Sequence, residues 1–280
     1  AWRGEPFIVQ FNHSHTGDGT FLIHSKKSLD ELQQKFPKRQ VRIMEYISGP
    51  VFTNNNIVWE DQIATGNISY QITGLAPFTD NPFATIGNDW ALPSQLLSSD
   101  QIKQYKKIVT EIGKKLYQEG WRGLFGVDVI LDEKTGNILL LEINARQPAS
   151  TTFESQLQHT VILNEMKNPL QTKRKGSLAK AQDDNGQITT FAAHLASLLG
   201  IKPAKNELIR LTDGSQIIQR VTAKVPRVNF SLADRAIVNT IAYNNHEPGA
   251  DLLRVQLNTG IMQKHTKLNK LGKTIVAALC

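Results

Sequence analysis

Asp128, Glu142, Asn144 and Arg146 carry the most legible chemistry in this sequence. They sit in two apolar runs separated by a short turn. One is Gly126-Val127-Asp128-Val129-Ile130; the other is Leu140-Leu141-Glu142-Ile143-Asn144-Ala145-Arg146. Carboxylates set among Leu and Ile are costly to bury unless a partner neutralises them. A hard divalent cation suits that task, because carboxylate and carboxamide oxygens are ligands of the kind magnesium takes.

The elements that must position these groups follow from strand geometry. Residues two apart on a strand share a face, so Glu142 and Asn144 point together and Leu141 and Ile143 point away. Asp132-Glu133-Lys134-Thr135-Gly136 reads as a turn. A hairpin centred near Thr135 sets Asp128 across from Glu142, and three oxygen-bearing side chains converge. The competing reading is a hairpin whose polar face simply meets water. Leu139, Leu140 and Leu141 argue against it, since they predict a strand buried on both faces.

At these residues the chain resembles the ATP-grasp superfamily. Its members carry an acidic residue on one strand and a Glu-x-Asn pair ending the next, often with Arg two positions on. Leu141-Glu142-Ile143-Asn144-Ala145-Arg146 matches that pattern. The resemblance implies Mg2+ ligation by Asp128, Glu142 and Asn144. It also implies that Arg146 faces the transferred phosphoryl group or an acyl phosphate. A fixed guanidinium suits phosphate oxygens and the charge that develops during transfer.

Upstream, Phe7 to Phe11 and Phe21 to Ile23 read as strands around Asn12-His13-Ser14-His15-Thr16-Gly17-Asp18-Gly19-Thr20. Backbone N–H groups at Gly17 and Gly19 can approach phosphate closely. An ordinary flexible hairpin is the alternative, and the histidines at 13 and 15 read as idle. The resemblance makes this segment a flap over ATP, with Gln10 at the position of a phosphate-binding lysine. Val41 to Ile47 reads as a strand running into Ser48-Gly49-Pro50. It is either a plain core strand or, as the resemblance implies, a hinge at which Glu45, Tyr46 and Ile47 meet adenine, with Met44 and Ile47 as walls.

Further elements are read from periodicity. Ser28 to Phe36 has helical spacing, and Ser98 to Gln118 is the clearest helix, with a Ser98–Gln101 capping box and a stop at Gly120. Asn55 to Trp59 and Gly66 to Thr73 suggest strands, with Asn54-Asn55-Asn56 and Thr65-Gly66-Asn67 as turns. Residues 76–93 read as a long loop. Thr151 to Met166 and Ile188 to Leu199 read as helices, with His194 a helix-face residue rather than a ligand. The spacing predicts strand-like runs and polar turns from Leu208 onward.

Composition bounds the rest. The 280 residues carry a net charge of +7 and one cysteine, Cys280, so no internal disulfide framework exists and a reducing cytoplasm fits. No apolar run reaches the roughly 18–20 residues of a membrane span, and the start has no apolar signal core. The basic residues are dispersed. The one dense cluster, Lys173-Arg174-Lys175, reads as a solvated loop without the interleaved aromatics of a nucleic-acid binder.

The expectation is an α+β ATP-grasp fold, in which two α+β subdomains grip a nucleotide between antiparallel sheets. Residues 1–47 would form the flap subdomain. Residues 48–200 would form the core, with an inserted loop near 168–186, and 201–280 a small mixed C-terminal module. The expected activity is an ATP- and Mg2+-dependent carboxylate–amine ligase with a small-molecule acid and amine as substrates. The Gly49-Pro50 spacing is similar to the branch that includes the ligase of pyrrolysine biosynthesis. Gln10 and Val51 depart from the superfamily's lysine and ribose-binding carboxylate, which leaves a nucleotide-binding module without turnover as the alternative. The superfamily's N-terminal α/β domain is expected to be missing from these residues: it is supplied by another chain or segment, or the protein works without it.

Overall fold

The computed structural model describes residues 2, 4–12, 19–60, 62–166, 186–201, 205 and 207–279. Its first elements are β1 (Phe7–Phe11), β2 (Thr20–Ile23), α1 (Lys26–Lys35) and β3 (Val41–Glu45). They make a three-stranded antiparallel sheet in the order β2-β1-β3. Ser25 caps α1 through a capping box with Ser28, so the helix starts before the Ser28 that periodicity alone suggests. Phe11 stacks against Phe21 and Phe36 at ring separations of 5.1 and 4.9 Å, which fixes one face of the sheet to the α1 side.

The larger sheet follows. β4 (Val51–Trp59), β5 (Gln62–Ala64), β6 (Ile68–Thr73) and β7 (Thr85–Asp89) lead into α2 (Pro93–Leu96) and α3 (Ser99–Gln118). Then come β8 (Gly123–Leu131), β9 (Ile138–Asn144), α4 (Thr151–Met166) and α5 (Thr190–Leu198). The chain continues with β10 (Ser215–Arg220), β11 (Ile237–Ala242), β12 (Asp251–Leu257), β13 (Met262–Lys264), β14 (Lys267–Leu268) and α6 (Lys270–Leu279). Nine strands form one sheet in the order β11-β12-β10-β7-β6-β4-β8-β9, with β5 added to β4, and β13 and β14 pair separately. The segment expected as a C-terminal module thus contributes β10, β11 and β12 to the same sheet as the core.

Alternation along β4 and β8 decides which face is covered. Phe52, Val58, Phe125, Val127 and Val129 join Tyr105 and Val109 of α3 in the main core. The Tyr105 hydroxyl is buried with them and donates to the Val127 carbonyl at 2.6 Å. Gly113 lets α3 close on β5, since a Cβ there would come within 2.7 Å of the Ile63 side chain. On the opposite face, Ile57, Trp59 and Leu124 pack under Ala193 and Ala196 of α5. That leaves the Thr53–Asp128 stretch of this second face as the floor of the site.

Three expectations are corrected. Asn54, Asn55 and Asn56 are not a turn but the buried middle of β4. The long loop of 76–93 contains β7, a strand inside the sheet; Gly87 permits it, because a Cβ there would lie 2.1 Å from the Gln216 carbonyl oxygen of β10. And β9 is not buried on both faces: it is the sheet edge, and Leu139, Leu140, Leu141 and Ile143 are each more than a third exposed. The histidine at 194 does sit on its helix face, where Nδ1 accepts a hydrogen bond from the Leu124 N–H at 3.1 Å.

Candidate functional site

The site is built on the β8–β9 hairpin. Beside the turn, Leu131 pairs with Ile138, Ile130 with Leu139 and Val129 with Leu140. Continued unbroken, that register would set Asp128 against Leu141. A bulge takes Leu141 out of the pairing, and Asp128 faces Glu142 while Gly126 faces Asn144. The two carboxylates therefore occupy one rung of the sheet, with the carboxamide two rungs along.

Neighbouring strands hold the tips in place. Thr53, paired with Asp128 across β4, donates its hydroxyl to Asp128 Oδ1 at 2.6 Å. Asn144 Nδ2 donates to Asp128 Oδ2 at 3.3 Å, and Asn144 Oδ1 accepts from the Arg146 guanidinium at 2.9 Å. Arg146 is exposed and also reaches the Gln147 carbonyl at 3.3 Å. Thus Asp128, Asn144 and Arg146 form one chain of hydrogen bonds, with Glu142 beside it.

Burial pushes the Asp128 carboxyl above its usual range, opposed by hydrogen bonds from Thr53, Gln71 and Asn144 and by the Arg146 charge. Desolvation also raises Glu142, although its side chain reaches solvent, and the facing Asp128 raises it further; Arg146 and Arg42 pull the other way. Among the described residues neither carboxylate forms a direct ion pair, nor do three His, Cys, Asp or Glu side chains gather anywhere as a metal cluster. Two facing carboxylates of raised affinity for protons and one carboxamide are nevertheless an oxygen donor set that fits a hard cation. Asn144 would present its oxygen by turning its amide away from Arg146.

Beneath this hairpin lies a network that the sequence reading missed. Glu154 of α4 is fully buried. It accepts hydrogen bonds from Asn55 Nδ2, from Asn67 Nδ2 at 3.1 Å and from the Thr190 hydroxyl at 3.0 Å. Asn55 also bonds Ser150, the last residue before α4. The network ties the loop after Arg146 to β4, α4 and α5. Burial raises the Glu154 carboxyl to about 7 despite those donors. The signal in the sequence was three consecutive asparagines inside an apolar run, which resembles a turn until the strand is seen.

The remaining predicted residues fall on the smaller sheet and its exit. Gln10 lies on β1 opposite Arg42 of β3, and its side-chain oxygen accepts from the Arg42 guanidinium. Gly19 closes the base of the 12–20 segment, its carbonyl accepting from the Phe11 N–H at 2.9 Å. Gly17, with His13 and His15, lies outside the described residues, as do Lys173-Arg174-Lys175, most of the loop expected near 168–186, and Cys280. Glu45 ends β3, and Tyr46 and Ile47 follow it, exposed and half-buried respectively. Beyond them the chain crosses onto β8. The Ser48 and Pro50 carbonyls accept from Glu133 and Leu131 N–H groups at 3.1 and 3.0 Å. Gly49 is required at the crossing, since a Cβ would sit 1.8 Å from the Leu131 carbonyl oxygen.

No model of a known protein family matches the sequence, and no curated protein does. Solved structures do match. Over 99% of this chain, the N5-carboxyaminoimidazole synthetase of Staphylococcus aureus, solved with ADP, is similar at a TM-score of 0.62 and 14% identity. The L-amino acid ligase of Bacillus licheniformis is similar over 93% of the chain at 0.57 and 15%. The biotin carboxylase of Campylobacter jejuni is similar over 99% at 0.56 and 13%. The chain spans 62%, 59% and 58% of those three proteins. At such identities the likeness is one of fold. No helix among the described residues is long and apolar enough to cross a membrane.

Proposed function

We propose, on the ATP-grasp fold that this chain has, that it is an ATP- and Mg2+-dependent carboxylate–amine ligase. The observation that carries the reading is the Asp128–Glu142 rung with Asn144 beside it, linked by hydrogen bonds to Arg146. Asp128, Glu142 and Asn144 would hold the cation, whose charge neutralises the ATP phosphates. Arg146, two residues beyond Asn144, would bring its guanidinium to the oxygens that gain charge as the γ-phosphoryl group moves to the substrate carboxylate. The resulting acyl phosphate is opened by an amine, with release of phosphate. Glu45, Tyr46 and Ile47 would meet the adenine edge, Gln10, Gly17 and Gly19 would meet the phosphates, and the flap from Asn12 to Thr20 would close over the nucleotide and exclude water.

The test is ADP release by the purified chain with Mg2+, ATP and panels of carboxylates and amines, alongside calorimetry with a non-hydrolysable ATP analogue. The ligase reading expects ADP release that depends on both substrates, and Mg2+-dependent affinity that Glu142→Gln weakens. Analogue affinity without ADP release from any pair would leave a nucleotide-binding module, which the uncharged Gln10 and Val51 favour. Affinity unchanged in Glu142→Gln would remove that carboxylate from the site.

A further inference from the structure

Beyond Asp128 the same face of the large sheet is polar strand after strand. Thr53 pairs with Asp128 on one side and Ser69 on the other, and Gln71 shares the Ser69 face. From Gln71 a single rung runs through Asn88, Gln216, Gln256 and Asn239, on β6, β7, β10, β12 and β11. Its hydrogen bonds lead back to the cation site. Gln216 Nε2 donates to Asn88 Oδ1 at 3.0 Å, Asn88 Nδ2 to the Ser69 hydroxyl at 3.1 Å, and that hydroxyl to the Thr53 carbonyl at 3.5 Å. Further along the strands, Thr73 faces Thr85, Ile218 faces Arg254 and Arg220 faces Asp251. Arg220 Nη2 donates to the Thr85 carbonyl at 3.1 Å, and the Thr85 hydroxyl donates to Gln71 Oε1 at 3.1 Å. At the Trp90 end Phe153 and Leu157 of α4 cover this face, while Gln71, Thr73, Ile218 and Arg254 are only half-buried.

Four side-chain atoms on this face are buried without a hydrogen-bond partner: Gln216 Oε1, Thr73 Oγ1 and the Nε atoms of Arg220 and Arg254. Gln216 is 4% exposed and Arg220 5%. The two guanidiniums share one carboxylate, Asp251, at 3.7 Å each, longer than a hydrogen bond. A structural tie between β10 and β12 would close those contacts. One carboxylate for two guanidiniums instead leaves a positive charge and unpaired donors on the face, which is costly unless an anion joins them.

We propose that Arg220 and Arg254 hold an oxyanion at the far end of a substrate whose reacting group meets the cation at Asp128. The inference rests on the ligase reading above and adds the charge and length of one of its substrates. Gln216 Oε1 and Thr73 Oγ1 would accept from N–H or O–H groups between the two ends. The Arg220 guanidinium reaches Thr85 on β7, three strands from Asp128 and four residues along from its rung. At ~4.8 Å between strands and ~3.4 Å per residue, the ends lie roughly 20 Å apart. Part of that span belongs to the cation and the phosphoryl group, and the rest suits an elongated molecule. A substrate as short as succinate could not touch both ends. Carboxylates and phosphate monoesters share the chemistry that a pair of guanidiniums recognises.

Calorimetry with two matched pairs of probes tests the assignment: tetraglycine against its C-terminal amide, and aminooctyl phosphate against aminooctanol. Each pair keeps the amine and the length and differs in the terminal oxyanion. The wild-type chain should bind the anionic member of at least one pair about ten- to hundredfold more tightly, the range of a charge-assisted contact; the pair that shows it separates a carboxylate from a phosphate. Arg254→Gln, at a half-buried position, should abolish that preference. Equal weakening of both members would overturn the assignment by making Arg254 structural, and a preference that survives the substitution would overturn it too. The wild-type comparison needs no variant, so it decides even where the variant fails to fold. Affinity for the Mg2+ complex of a non-hydrolysable ATP analogue is read on the same wild-type samples. Analogue binding without any anionic preference overturns this assignment alone. Anionic preference without analogue binding overturns the ligase reading and leaves the oxyanion site, and binding of neither overturns both.

Discussion

The buried Glu154 makes a quantitative prediction about pH. Its carboxyl is raised from 4.5 to about 7 in the folded chain. The folded state therefore keeps a proton that the unfolded state has already lost, and stability falls as pH rises from about 4.5 to about 7. At about 1.4 kcal/mol per pH unit, the cost across that window is about 3 kcal/mol. The cause is desolvation, which the Asn67, Asn55 and Thr190 donors only partly offset. Glu154→Gln removes the titration. At pH 5 the variant should be less stable than the parent by roughly 1–2 kcal/mol, because its amide N–H groups face donors that the carboxyl accepted from. At pH 8 the order should reverse, since only the parent then carries a buried charge. The melting temperature reads both effects. For a chain of this size a change of 3 kcal/mol is roughly 6–12 °C, so the parent should lose about that much between pH 5 and 8, beyond any change the variant shares. Parallel curves for parent and variant would refute the argument, because the slope would then belong to other groups.

Three further outcomes are expected. Thr53→Val removes the hydroxyl whose hydrogen bond lowers the Asp128 carboxyl, so the pH midpoint of Mg2+-dependent analogue binding should rise; an unmoved midpoint would take Asp128 out of cation binding. Gly49→Ala forces a methyl into the Leu131 carbonyl and should cost ~1–3 kcal/mol in urea denaturation, whereas a neutral result would show that the hinge crossing yields. Arg146→Ala should depress turnover more than analogue affinity, and equal losses in steady-state and binding measurements would assign Arg146 to ground-state binding instead.

The edge position of β9 bears on how this site can work. Among the described residues no strand pairs beyond it and its leucines meet solvent, so Glu142 stays reachable from outside while Asp128, one strand in, is held by Thr53 and Asn144. The donor set thus pairs a fixed carboxylate with an accessible one. The run of leucines pointed toward a doubly covered strand because apolar composition does not distinguish a central strand from an apolar edge.

What the residues determined alone was local. A capping box and an apolar stripe sufficed for α3, and α4 spans the Thr151 to Met166 segment read as helical although it carries no apolar stripe of that kind. Glu-x-Asn on a strand after an Asp on its neighbour identified the candidate cation site, because alternation places side chains without reference to distant parts of the chain. Tertiary structure decided the rest. The hairpin turn by itself sets a register that misses by one residue, and only the bulge at Leu141 brings Asp128 to Glu142. Asn55 and Thr53 acquire roles through partners 75 to 99 positions away: Asp128, Ser150 and Glu154. β7 becomes a strand because β6 and β10 supply its hydrogen bonds, while the Gly, Asn and Asp in its own sequence argue for a loop. Local pattern fixes which way a side chain points; what it meets there depends on closure of contacts that no short window of sequence contains.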